Sequence, residues 1–266
     1  MTIKEKIFPC LSCKSDTGCP NKLICDECRT IRKQKRTLVR GQKVPKKNSK
    51  LHLIKGIISE YTFTKLNNLK EYILEIELKF KEDKKRLNKR YYDNINGYGQ
   101  NKEILDDIIE FYYEDHYKIE NIFLRIFHYT SLVATYSFLE SSLHSLCNHL
   151  HKMKNLSLEL ADLKNDGIER AKEYLIKVCH INFPEKSHEW LEIQKLNKVR
   201  NCIVHAEGNI EKVISKKKIC NIVKNTPGLK IVNKRFIGVE VSYLNSVIKN
   251  IEEFLSKLYD IAFQVI

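Results

Sequence analysis

The sequence predicts a mainly α-helical protein with a small β-hairpin near its C-terminus. Only 9 Gly and 5 Pro occur in 266 residues, which favours long helices. Apolar residues recur at steps of three and four over much of the chain, whereas one short stretch near the end alternates between apolar and polar residues. Hydrophobic residues make up 42% of the chain and charged residues 30%, a balance typical of folded domains.

The first 28 residues are predicted to form a compact, irregular module. Five of the 9 cysteines lie here, in the two C-x-x-C pairs Cys10 with Cys13 and Cys25 with Cys28, and at Cys19. Each pair can wrap a tight turn around one metal ion, and four thiolates at about 2.3 Å suit tetrahedral Zn²⁺. We expect a structural Zn²⁺ in this zinc-binding module, with a disulfide knot or redox thiols as the alternative. Cys19 is a possible substitute for one ligand.

A basic linker is expected over residues 29–50, which contain ten Lys and Arg and no acidic residue. The whole chain carries 47 Lys and Arg against 33 Asp and Glu, a formal net charge of +14. Nucleic acid is the commonest partner of such a chain, because each phosphate neutralised releases condensed counterions. No run of about 18 apolar residues occurs, so we expect a cytoplasmic protein with no membrane partner.

Helices are predicted over most of the remaining chain. Residues 51–100 are expected to form a helical connecting region, with apolar positions from Leu66 to Phe80, and residues 101–266 the main helical domain. The predicted helices of this domain run from about Lys102 to Lys154 with a break near Asp115, from Ile168 to Cys179, from Ser187 to Ala206, and from Val241 to Val265. Between the last two, the stretch from Leu229 to Val241 alternates around Asn233-Lys234 and predicts the hairpin.

The helix predicted from Ser187 to Ala206 carries the arrangement R-N-x-x-x-H, formed by Arg200, Asn201 and His205. The apolar stripe of this helix comprises Ile193, Leu196, Val199 and Ile203. On an ideal helical wheel, Asn201 and His205 lie one turn apart on the side opposite the stripe, and Arg200 lies at its border. This placement favours a cleft or a dimer interface, and a hydrogen-bonded core histidine or a solvated helix surface is the alternative.

This arrangement resembles the R-x4-6-H motif of HEPN ribonucleases, and the resemblance extends over about residues 103–266. It implies a HEPN-like helical bundle, a homodimer in which the active groups of two protomers meet, and metal-independent cleavage of RNA. In that chemistry His205 exchanges protons, Arg200 holds phosphate oxygens, and Asn201 orients His205 or the phosphate. The expected products carry 2′,3′-cyclic phosphate and 5′-hydroxyl ends.

Glu140 is a further candidate site residue, because HEPN domains often carry an acidic residue on the helix that precedes the motif. It would orient Arg200. His144, Asn148 and His151 follow Glu140 on the same predicted helix, without a recognised metal-ligand spacing. A polar strip exposed to solvent is the alternative interpretation of these four residues.

The sequence therefore predicts a dimeric endoribonuclease with RNA as its substrate. By analogy with the family it would be a toxin or antiphage effector, controlled by an inhibitory or activating protein partner. The first alternative is a non-catalytic nucleic-acid-binding or adaptor protein, in which the zinc-binding module and basic linker bind while the helical domain dimerises. The second is a zinc-finger transcription factor with a helical sensor domain.

Overall fold

The structure, a computed structural model, describes residues 48–98 and 102–264. The chain divides into two units, Met1–Leu53 and Ile54–Ile266. The predicted zinc ligands Cys10, Cys13, Cys19, Cys25 and Cys28, and the predicted linker as far as Lys47, lie outside the described residues.

The described part is mainly helical, with one antiparallel pair of short strands near the C-terminus, and this confirms the predicted fold class at that level. The α-helices are α1 (Asn48–Tyr98), α2 (Lys102–Tyr117), α3 (Leu124–Lys154), α4 (Gly167–Lys177), α5 (His188–Ala206), α6 (Lys216–Lys224) and α7 (Val241–Gln264). The strands are β1 (Leu229–Val232) and β2 (Phe236–Val239). None of the helices in residues 48–98 and 102–264 is long and apolar enough to cross a membrane.

Helix α1 has 51 residues and is about 77 Å long at 1.5 Å per residue. Its few buried side chains include Leu66 and Ile73, both nearly inaccessible to solvent. The Thr62 hydroxyl lies 3.2 Å from that of Tyr259 on α7, and the Phe80 ring lies 5.7 Å from that of Phe127 on α3. One long helix thus contacts both α7 and α3.

Helices α2 and α3 are joined by a π-helical segment, Lys118–Phe123, in which the Leu124 amide donates to the Ile119 carbonyl five residues earlier. The break predicted near Asp115 is therefore a change of helix type a few residues later, and the flanking residues Tyr117 and Leu124 keep right-handed helical backbone angles. In a π turn each hydrogen bond spans five residues, whereas in an α-helix it spans four, so the π turn contains one extra residue.

The centre of the hydrophobic core lies where α3, α5 and α7 pack together. Trp190 on α5 is fully buried, and its ring stacks on that of Phe254 on α7 with the centroids 5.2 Å apart. Phe183 meets the Trp190 ring edge-on at 4.8 Å. Burying one such aromatic side chain contributes about 2–3 kcal/mol. These contacts fix the N-terminal end of α5, and the R-N-x-x-x-H residues lie near its other end.

The hairpin is present where the sequence predicts it, and its strands pair with Val232 opposite Phe236 and Leu229 opposite Val239. Its turn contains Asn233 and Lys234, which both adopt positive φ angles. Helix α6, which precedes the hairpin, was not predicted from the sequence. It buries Ile219 and Val223.

Candidate active site

Helix α5 has the boundaries that its sequence predicts. The Ser187 side chain caps its N-terminus by accepting a hydrogen bond from the Trp190 amide. At the C-terminus, Glu207 and Gly208 adopt left-handed conformations, with φ of 53° and 72°. The predicted apolar stripe of Ile193, Leu196, Val199 and Ile203 is buried throughout.

Arg200 is partly buried on the flank of α5 that faces α3. Its guanidinium carbon lies 5.0 Å from the centroid of the Tyr136 ring, within the range of a cation–π interaction. Its Nη1 donates a hydrogen bond of 2.9 Å to Oδ1 of Asn201. Among the described residues, no carboxylate lies within ion-pairing distance of Arg200, and its buried Nε has no hydrogen-bond partner. The guanidinium is therefore held in place without being neutralised.

Tyr136 was not identified from the sequence. It lies on α3, is only 4% exposed, and precedes Glu140 by one helical turn. Burial, with a smaller contribution from the Glu140 carboxylate, raises the pKa of Tyr136 to about 12. The phenol is therefore neutral at physiological pH, and its ring provides an uncharged surface for the Arg200 guanidinium. In the sequence, the only indication that Tyr136 belongs to the site is its position four residues before Glu140, on the same face of the helix.

Glu140 and Arg200 both lie near Tyr136, since each contributes to the electrostatic environment of its phenol. Within the described part of the chain they form no ion pair with each other. The Glu140 carboxylate instead lies beside the first residue of α4, where a Cβ added to Gly167 would be 3.3 Å from Oε1. Glu140 is thus positioned to influence the site through Tyr136 and the start of α4.

His205 lies in the last turn of α5, with its side chain exposed like that of Asn201. Arg200 and His205 are about 140° apart around an ideal helix, and Asn201 lies between them at about 100° from Arg200. The hydrogen bond from Arg200 to Asn201 therefore draws the guanidinium towards the exposed side that carries His205. The described residues form no hydrogen bond between His205 and the other three candidates.

The end of α5 is held by α3 and the hairpin. The Tyr129 hydroxyl on α3 donates to the carbonyl of Ile237, whose own amide donates to the Gly208 carbonyl at 2.9 Å. A side chain at position 208 would overlap the Tyr129 hydroxyl and lie 2.7 Å from Cζ of that ring. Gly208 permits both the positive φ and this close approach. The backbone that carries His205 is therefore fixed three residues beyond it.

The three other polar residues of α3 lie further along the helix. His144, Asn148 and His151 help to line an open depression of about 510 Å³ between α3 and the start of α4. Nδ1 of His151 is 3.1 Å from the Tyr174 hydroxyl, so this histidine is engaged in local structure. The described ranges contain no group of three or more His, Cys, Asp or Glu side chains arranged to hold a metal ion.

The chain matches no protein-family model, and no curated protein or solved structure is significantly similar to it.

Proposed function

We propose that this protein is a metal-independent endoribonuclease of the HEPN type, with Arg200, Asn201 and His205 as its catalytic group. The observation that carries the proposal is the state of Arg200: its guanidinium is held over Tyr136 and bonded to Asn201, with no carboxylate in ion-pairing distance among the described residues. A positioned but uncompensated guanidinium suits a phosphate, which it can hold through two parallel hydrogen bonds.

His205 supplies the proton chemistry in this proposal. The 2′-hydroxyl oxygen of the RNA attacks the adjacent phosphorus, so that a new 2′-O–P bond forms as the P–O5′ bond breaks. His205 accepts the proton of the 2′-hydroxyl, and an imidazolium delivers a proton to the leaving 5′ oxygen. Arg200 stabilises the negative charge that builds up on the phosphorane oxygens, and the products carry 2′,3′-cyclic phosphate and 5′-hydroxyl ends.

A homodimer completes the site, in agreement with the resemblance of the motif to HEPN ribonucleases. The exposure of His205 and Asn201 leaves both side chains accessible to a second copy and to RNA. One histidine of the pair then acts as the base and the other as the acid. Tyr136 holds Arg200 on the flank of α5 that faces α3, and Glu140 acts on the site through Tyr136.

In this proposal the N-terminal cysteines bind a zinc ion that has a structural role. Four thiolates from Cys10, Cys13, Cys25 and Cys28 would fill all four positions of a tetrahedral Zn²⁺, leaving no position open for catalysis; Cys19 is the alternative ligand. The module and the basic residues behind it would contact RNA. A toxin or antiphage role, with a protein partner that inhibits or activates the enzyme, follows from the same family analogy.

The test is cleavage of transfer and total RNA in the presence of EDTA by the purified full chain. We expect His205→Ala and Arg200→Ala to lower the cleavage rate at least about 100-fold. His149→Ala is the matched control, because His149 is also an exposed helical histidine. Cleavage that persists in both variants removes these residues from the mechanism. An inactive wild type that still binds nucleic acid tightly favours the non-catalytic binding protein.

A further inference from the structure

Two arginines from separate elements contact the ring of Phe236, the first residue of β2. The guanidinium carbon of Arg125 on α3 lies 5.3 Å from the centroid of this ring, and that of Arg235 lies 5.0 Å from it. Both distances are within the range of a cation–π interaction. One aromatic ring thus holds two cations close together, against their mutual repulsion. Arg125, Arg235 and Phe236 are called the arginine cluster below.

Backbone contacts fix the arginine cluster at the C-terminal end of α5. Phe236 pairs with Asn209 in an isolated antiparallel bridge, and Asn209 follows His205 by four residues. The next amide along the chain, that of Ile210, donates a hydrogen bond of 2.8 Å to the Arg235 carbonyl. The cluster therefore belongs to the end of the helix that carries the proposed catalytic histidine.

The charge of the two arginines is not compensated within the described part of the chain. Both side chains are exposed, and neither forms an ion pair with a carboxylate of another described residue. An open depression of about 340 Å³ beside the ring is lined by part of the cluster and by two acidic residues. These carboxylates are already paired with lysines, Glu240 with Lys230 at 3.0 Å and Glu120 with Lys84.

This combination of positive charge and a supporting ring fits a single strand of RNA. A guanidinium binds phosphate oxygens through its edge, and an unpaired base can stack on its plane. An anionic membrane surface fits less well, because Phe236 is partly buried and the adjacent turn, Asn233 and Lys234, is polar. A membrane-binding surface needs exposed apolar side chains that enter the lipid.

We propose that Arg125 and Arg235, held by Phe236, bind phosphates of single-stranded RNA next to the phosphate that Arg200 binds. This inference rests on the proposed function and extends it with a second contact to the substrate. The arginine cluster takes no part in bond cleavage. It holds the strand on one side of the cleavage position, so that the substrate extends from α5 across the hairpin.

Binding is measured without cleavage, in the full chain carrying His205→Ala, with a fluorescein-labelled single-stranded RNA as the probe. Arg125→Gln and Arg235→Gln are compared with Arg86→Gln, because Arg86 is an exposed arginine on α1 that is paired with Asp83. We expect each of the first two variants to weaken binding about five-fold and to lower the slope of log affinity against log salt by about 0.7. Arg86→Gln, which removes the same charge elsewhere, should change neither quantity.

Thermal unfolding of each variant separates a binding defect from a folding defect, and substitution of the two exposed arginines should leave Tm nearly unchanged. Binding and salt dependence equal to those of Arg86→Gln in both variants, or no RNA binding by the parent protein, would overturn the proposal. Weakened binding to phosphatidylserine vesicles in both variants, with RNA binding unchanged, would overturn it in favour of a membrane surface. If the wild type binds RNA without cleaving it and both cluster variants bind weakly, the RNA contact stands and the ribonuclease proposal fails alone.

Discussion

The guanidinium of Arg200 lies over the ring of Tyr136, with 5.0 Å between the guanidinium carbon and the ring centroid. Tyr136 is buried in α3, so this contact ties a residue of the proposed site to the rigid interior. A cation–π contact that is shielded from solvent contributes about 1–2 kcal/mol.

The rate of RNA cleavage should therefore depend on whether a substitution at Tyr136 keeps the aromatic ring. We expect Tyr136→Phe to cleave RNA at nearly the wild-type rate and Tyr136→Leu to be slower by about ten-fold, because only the second loses the aromatic face. Single-turnover cleavage measures the effect, with the folded fraction of each variant checked by circular dichroism. Equal rates for the two variants would show that the ring does not position Arg200.

Gly208→Ala should destabilise the fold. The new Cβ requires a strained backbone at φ 72° and overlaps the Tyr129 hydroxyl, at a combined cost of about 2 kcal/mol or more. For a chain of this size that lowers Tm by about 4–8 °C. Gly56→Ala on α1 is the control, since a Cβ there meets nothing within 4 Å and alanine favours a helix. A Gly208→Ala protein as stable as Gly56→Ala would contradict the close packing of Gly208 on Tyr129.

The ion pair of Glu189 with Lys257 should make stability depend on acid pH. A hydrogen bond from the Lys257 ammonium, and a further one from the backbone, hold the pKa of Glu189 below its ordinary value. The stabilisation is present above the unfolded-state pKa of about 4.3 and is lost as pH falls through the lower folded-state value.

Urea unfolding at pH 7 should thus find Glu189→Gln less stable than the wild type by about 1 kcal/mol. The difference should shrink as pH is lowered from about 5 towards 3. Glu253→Gln is the comparison, because its lysine partner is 3.8 Å away and both side chains are well exposed. A pH-independent difference would exclude this titration as its cause.

The N-terminal cysteine pairs should bind zinc in a fixed ratio. We expect elemental analysis of the purified full chain to find about one Zn²⁺ per chain, and a Cys10→Ser, Cys25→Ser double variant to lose it. Cys220→Ser should keep the metal, since Cys220 lies among the helices. Full zinc content in the double variant would show that the two pairs do not form the site.

Periodicity predicted the long helices well, because α5 and α7 each bury one continuous apolar face. It missed α6, whose nine residues begin with three consecutive lysines that resemble a charged loop. The exposed placement of Asn201 and His205 followed from the helical wheel alone. The contact of Arg200 with Tyr136 did not, because it depends on how α5 packs against α3, and no local pattern specifies that packing.

The π-helical segment has a consequence for how this chain tolerates length changes. Asp115 and Glu120, five residues apart across the segment, both face α1, where they pair with Arg90 at 3.6 Å and with Lys84. A π turn absorbs one extra residue, so deleting one residue between Lys118 and Phe123 would convert the segment to a regular α-helix and leave α2 and α3 in nearly the same phase. A one-residue deletion in a regular part of α2 or α3 would instead turn the flanking parts by about 100° relative to each other, and one of them would present the wrong side to α1. Natural variants of this protein should therefore tolerate the loss of one residue within this segment better than elsewhere in α2 and α3.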